Sequence, residues 1–121
     1  VYAHNNLGLA LQRLADLQAN LSQHDAALDN YQLSIESYQQ ALKRAPDYVN
    51  AHNNLGNTLQ SLADLQANLS QHNEAQDNYR QSIDCYDRAL KWAPDDPGIL
   101  GNRGIALQQL SGLQGDNADK K

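Results

Sequence analysis

The 121-residue chain has no Met, no Phe, one Trp, one Cys and three Pro. A lone cysteine, Cys85, cannot close an internal disulfide, so no disulfide framework holds the fold, and a reducing compartment is compatible with it. No apolar run exceeds three residues, far short of the roughly 20 that cross a bilayer. No basic segment followed by an apolar core opens the chain, so no export signal is read and a cytoplasmic placement is the expectation. Basic residues are also few: nine Lys/Arg against 14 Asp/Glu give a net charge of -5. With no cluster of them to neutralise phosphates, neither nucleic acid nor an anionic membrane is expected as a partner. Nucleophile elbow, glycine-rich phosphate loop and paired-carboxylate motif are absent too, so neither catalysis nor a cofactor is implied. Because the chain opens on Val1, we expect it to be a piece of a longer protein.

What the chain does have is amide and repetition. It carries 27 Asn and Gln, and His4 to Ala51 aligns without a gap on His52 to Ile99, with 31 of 48 pairs identical. The block Leu14 to His24 recurs unchanged as Leu62 to His72. A weaker third copy starts at Leu100 and stops halfway, with Asn102, Gly104, Leu107 and Leu110 in register with Asn54, Gly56, Leu59 and Leu62. The boundaries read as repeat 1 over 1–47, repeat 2 over 48–95, a half repeat over 96–114, and a disordered polar tail over 115–121.

Inside one unit, Leu7, Leu11, Leu14, Leu17 and Leu21 recur every three or four positions, as one face of an amphipathic helix requires. A second series, Leu28, Tyr31, Ile35, Tyr38 and Leu42, does the same. Ala27, Ser34 and Ala41, seven apart, offer a seam of small residues to a neighbouring helix. Ser22 with Asp25, and Ser70 with Asn73, read as N-caps that place a tight turn at 21 to 23. The second helix is expected to stop before Pro46, with Asp47 capping the next one, and Asp96-Pro97 to open a fifth. Each unit is then a hairpin of two helices of about 20 residues and roughly 30 Å. One hairpin cannot bury both of its sides, so the predicted architecture is an all-α solenoid of antiparallel hairpins, five helices in total.

Asn6-Leu7-Gly8 with Leu11, and Asn54-Leu55-Gly56 with Leu59, resemble the first-helix signature of the tetratricopeptide repeat family. Ser34, Tyr38, Ala41 and Pro46, repeated as Ser82, Tyr86, Ala89 and Pro94, match the small, aromatic, small, proline spacing of its second helix. The family unit is about 34 residues long. The 48-residue period exceeds it by two heptads, as if each helix were lengthened by two turns. In the third copy Arg103 replaces Leu7 and Leu55, Gly101 replaces Asn5 and Asn53, and Gly112 replaces Asp16 and Asp64. That helix is expected to be terminal, with Arg103 in water.

The resemblance implies a protein-interaction module whose first helices line a concave, peptide-binding groove. It puts Asn5, Asn6, Leu9, Gln12 and Arg13, then Asn53, Asn54, Asn57, Gln60 and Ser61, on or near that groove. Primary amides offer both donor and acceptor, so they suit the backbone of an extended peptide whatever its sequence. Asn6, Asn54 and Asn102 form a column similar to the asparagine ladder in the repeats of the O-linked N-acetylglucosamine transferase family. The same amides also suit bonds between neighbouring helices, and both readings stand. Chaperone-tail recognition is not implied, because Asn5 and Gly98 stand where that clamp's lysines fall.

Other chemistry-bearing residues read as structural. His4, His24, His52 and His72 recur by repeat inheritance, and His4 and His24 lie at opposite ends of a hairpin, too far apart to share a metal. Cys85, in place of Ser37, has only Arg88 nearby to favour a thiolate and reads as inert. The sequons at Asn20 and Asn68 read as turn chemistry, and Trp92, in place of Arg44, as packing on a neighbouring helix. Leu9, Leu28 and Leu33 become Asn57, Gln76 and Gln81 in the second unit. The first unit is therefore greasier, and exposed apolar surface at that end of the array predicts a homo-oligomer through solenoid ends or helix exchange. Such structural self-assembly is the alternative to peptide binding.

Overall fold

The computed structural model describes residues 1–119. It contains five α-helices: α1 (Tyr2–Asn20), α2 (His24–Arg44), α3 (Val49–Asn68), α4 (His72–Trp92) and α5 (Pro97–Asp119). Among the described residues there is no strand. Each helix packs on the next, most extensively within the hairpins α1–α2 and α3–α4, while α1 meets α3 and α3 meets α5 along narrower seams. This is the all-α solenoid that the period requires. The backbone of α5 continues through Asp119, past the boundary expected at 114. Residues 120 and 121, the end of the expected disordered tail, lie outside the described residues.

The small-residue seam closes each hairpin. Ala27, Ser34 and Ala41 are fully buried, and the Ser34 hydroxyl donates to the Gly8 carbonyl at 2.7 Å, as Ser82 does to Gly56 at 2.8 Å. Tyr38 lies so tightly across Gly8 that a Cβ there would come within 2.6 Å of the ring, and Tyr86 repeats this over Gly56 at 2.7 Å. These glycines permit close approach of two helices. Gly104, in the same register on α5, meets nothing within 4 Å, because no described helix packs across it.

The turns fall where expected but are built differently. Ser22 and Ser70 are not N-caps; they follow the C-caps of α1 and α3 in the left-handed region, at φ 60° and 62°. The Gln23 N–H returns to the Gln18 carbonyl at 2.8 Å and the Ser22 N–H to Ala19 at 3.1 Å, with the same pair at Gln71 and Ser70. That is a Schellman closure, which satisfies orphan carbonyls that a side-chain cap on the following helix would leave open. Asp47 does not cap α3 either. The N-cap is Tyr48, with no side-chain bond, whereas Asp96 in that register accepts from the Gly98 and Ile99 N–H groups at 2.9 and 3.1 Å.

Burial follows neighbours. On α3, Leu55, Leu59, Leu62 and Leu65 are 4–6% exposed, in one core with Tyr31, Ile35 and Tyr38 of α2. On α1 and at its C-cap, Leu7, Leu14, Leu17 and Leu21 are 44–60% exposed, because among the described residues only α2 and, along a narrow seam, α3 pack on this helix. The first unit does expose apolar surface, but chiefly through leucines common to both units. Arg103 does not simply sit in water: its Nε donates to Asp87 at 2.6 Å and ties α5 to α4.

Candidate functional site

The first helices α1, α3 and α5 are linked by amides. Asn54 Nδ2 donates to Asn5 Oδ1 at 3.2 Å, Asn102 Nδ2 to Asn53 Oδ1 at 3.4 Å, and Gln60 Nε2 to Gln109 Oε1 at 2.9 Å. All three pairs lie 49 residues apart, one period plus one residue, so each rung spans two successive units. Asn5 is buried, Asn53, Asn54 and Asn102 are half-buried, and Asn6 and Arg13 are exposed. Leu9, Asn57 and Ser61 are half-buried as well. Of the column Asn6, Asn54, Asn102, the last two donate the rungs and Asn5 and Asn53 accept them, while the exposed Asn6 belongs to neither rung. A rung occupies one of the donor amide's two N–H groups, so these side chains keep hydrogen-bonding capacity beyond the rung itself.

A second tier lies beneath. Thr58 donates to Gln12 Oε1 at 2.8 Å, the Tyr38 hydroxyl reaches the same oxygen at 3.3 Å, and the single Tyr86 hydroxyl proton is shared between Asn57 Oδ1 at 2.6 Å and Gln60 Oε1 at 2.9 Å. Burial pushes the Tyr38 phenol up to about 12, with Thr58 and Ser34 pulling it partly back. Burial raises Tyr86 as well, against a downward pull from Ser82. Both phenols therefore stay protonated and act as donors that hold Gln12, Asn57 and Gln60 in place, not as bases. Sequence reasoning missed Thr58, which replaces Ala10 and is fully buried between Ser34 and Gln12. Its signal was the appearance of a hydroxyl where the other unit has a methyl.

Toward the α1–α2 turn the polar face continues into a cleft of about 440 Å3 bordered by Asp16, Asn20, Ser61, Asp64 and Asn68. Tyr31 donates to Asp16 and Tyr79 to Asp64. Burial lifts the Asp64 carboxyl above the ordinary carboxylate range; the Tyr79 bond pulls it down in part, and the nearby Asp16 charge adds to the rise. Recurrence of Asp16 and Asp64 inside an otherwise apolar helix pattern was the legible sign of this contact.

The remaining candidates stand apart from the row. Cys85 is buried, and burial pushes its thiol up to about 12 despite Arg88, which keeps it protonated and unreactive. His52 is buried, with Nε2 bonded to the Pro46 carbonyl at 2.7 Å and its ring stacked on Trp92 at 5.8 Å. Trp92 does pack on a neighbouring helix, yet remains 45% exposed. Among the described residues no three His, Cys, Asp or Glu side chains converge as metal ligands. No described helix is long and apolar enough to cross a membrane.

Residues 25–62 match the family described as TPR repeat, and residues 63–96 match the one described as tetratricopeptide repeat. Together the two matches run without a break over more than half of the chain. The first covers α2 and most of α3, the second the last turns of α3 and all of α4. No curated protein matches the chain.

Proposed function

The chain belongs to the tetratricopeptide repeat family, whose repeats are generally protein-interaction modules, and from that premise we propose that the amide row of α1, α3 and α5 holds the backbone of a partner's peptide, without catalysis. The observation that carries this is the recurrence of the same rung one repeat apart, Asn5–Asn54 and then Asn53–Asn102. Neighbouring helices lie about 10 Å apart, and an extended peptide advances about 3.3 Å per residue. Successive rungs would therefore meet every third residue of a bound strand. Neutral amides suit that task, because a peptide group presents the same donor and acceptor whatever its side chain.

The test uses a fluorescein-labelled pool of random twelve-residue peptides. Replacing Asn6, Asn54 and Asn102 together by Ala should weaken capture of the pool at least tenfold with helicity unchanged. Full capture by the triple variant, accompanied by a lower melting temperature, would mean that the amides only brace the helices.

Self-association is a second reading, favoured by the exposed Leu7, Leu14, Leu17 and Leu21 of α1. The outermost described helices, α1 and α5, are both first helices, so joining α5 of one copy to α1 of another would lack a second helix between them. An isologous contact of α1 with a second copy of α1 fits better. Light scattering over a hundredfold concentration range should then show mass rising from 13.4 kDa toward a dimer; a constant mass would rule that contact out.

A further inference from the structure

On the opposite side of the hairpins, no backbone Cα of α2 comes within 8 Å of one in α4, and α3 packs against both. The gap is a cavity of about 770 Å3, within the ~300–1,000 Å3 range of ligand sites. Leu42, Pro46 and Leu55 supply apolar lining, and the Trp92 ring, backed by the stacked and hydrogen-bonded His52, supplies an aromatic wall. Its other lining residues include Lys43, Arg88 and Lys91, opposed by one carboxylate, Glu36. Lys91 Nζ stands 5.1 Å from the Trp92 ring centroid. Among the described residues none of these three cations is engaged in an ion pair.

This local charge runs against the chain as a whole. Three of its nine basic residues but only one of its 14 acids line the cavity, on a protein of net charge -5. The site also arises where the two units have diverged. Arg88 replaces Gln40 and Trp92 replaces Arg44, so the changes added an aromatic wall and placed a guanidinium across from Lys43. Neither is required for the repeat to fold, since the first unit does without both.

We propose that this cavity is a second binding site, independent of the amide row, for an acidic peptide segment carrying an apolar side chain. The apolar side chain seats against Leu42, Leu55 and Trp92, where it removes exposed indole surface from water. Carboxylates flanking it pair with Lys43, Arg88 and Lys91. The guanidinium of Arg88 offers a planar two-pronged contact and the lysines act as point charges. Charge complementarity selects the partner, because the net charge of -5 disfavours an acidic ligand in general while this cavity gathers three cations against one carboxylate.

The probe is a fluorescein-labelled peptide, acetyl-Glu-Glu-Leu-Trp-Glu-Glu-amide, titrated with the full chain at low salt and read by anisotropy. Saturable binding is expected, weakened several-fold by added salt. It should fall at least tenfold for Trp92→Arg and several-fold for Arg88→Gln, each of which restores the first unit's residue and so keeps a side chain the repeat already accommodates. Measured in the Asn6, Asn54, Asn102 triple-Ala background, where the amide row no longer contributes, the acidic peptide should still saturate, and a version with Lys in place of every Glu should bind at least tenfold more weakly. Absence of saturable binding at millimolar chain would overturn the proposal. So would equal affinity for the Lys peptide, or unchanged binding by folded Trp92→Arg. N-acetyl-tryptophan binding as tightly as the peptide would make this a small-molecule pocket and overturn the peptide assignment too.

Discussion

α1 and α3 carry the same seven residues from Leu14 and Leu62 to their last turn, yet Leu14 and Leu17 are 44% and 55% exposed while Leu62 and Leu65 are 6% and 5%. Local sequence is identical and both segments are helical. What differs is that α3 lies between α2 and α4, whereas among the described residues α1 packs on α2 and only narrowly on α3. In a repeat array stability resides in the interfaces between units as much as within them, so one leucine is core in one copy and surface in the other.

Substitution in pairs separates the two environments. Leu62→Ala should cost about 2–5 kcal/mol, as truncation in a packed core does, and Leu14→Ala within about 0.5 kcal/mol of nothing. Urea melts of the two variants check this, and similar midpoints would show that α1 is covered in solution. The glycines sharpen the contrast by changing sign. Gly56→Ala forces a Cβ into the buried Tyr86 ring and should destabilise by about 1–3 kcal/mol. Gly104→Ala in open space should stabilise by about 0.5–1 kcal/mol. Thermal melts decide it, and two changes of equal sign would refute the packing account.

Smaller effects attend the caps. Asp96→Ala should lower stability by about 1 kcal/mol, and Tyr48→Asp, which puts the same carboxylate at the start of α3, should raise it by a comparable amount. The latter change also breaks the edge-to-face contact of Tyr48 with Tyr2 at 5.7 Å, so its gain is the lesser of the two. The smallest effect concerns pH. Because the folded state holds the Asp64 proton more tightly than an ordinary carboxyl does, its contribution is fully present below the usual carboxylate range and is lost as pH rises through the raised value. Asp64→Asn keeps an oxygen for Tyr79 to bond. It should flatten that part of the pH-stability profile and leave the variant at least as stable as the parent at pH 7; an unaltered profile would show that Asp64 titrates normally.

The amide row was legible in part. Its members could be picked from the sequence because Asn5, Asn53 and Asn54 recur in register beside the Leu-Gly signature. Their pairing could not, since Asn54 meets Asn5 rather than Asn6, and that one-residue stagger depends on how α1 and α3 lie against each other. Ser22 shows the same limit at a turn. A serine before a polar helix start suits an N-cap, but the chain's exit from α1 puts that residue in the left-handed region instead. The cavity beside Trp92 was invisible for a stronger reason: its walls come from α2, α3 and α4, far apart in sequence and joined by no motif.

By itself the sequence determined the helices, the hairpins, the glycine and small-residue seams and the repeat period, because each follows from contacts three, four or seven residues apart or from the identity of two copies. The tertiary structure decided which leucines are core, how the amides pair and where the cationic cavity opens. Each of these depends on which surface a helix meets, and identical residues in α1 and α3 meet different ones.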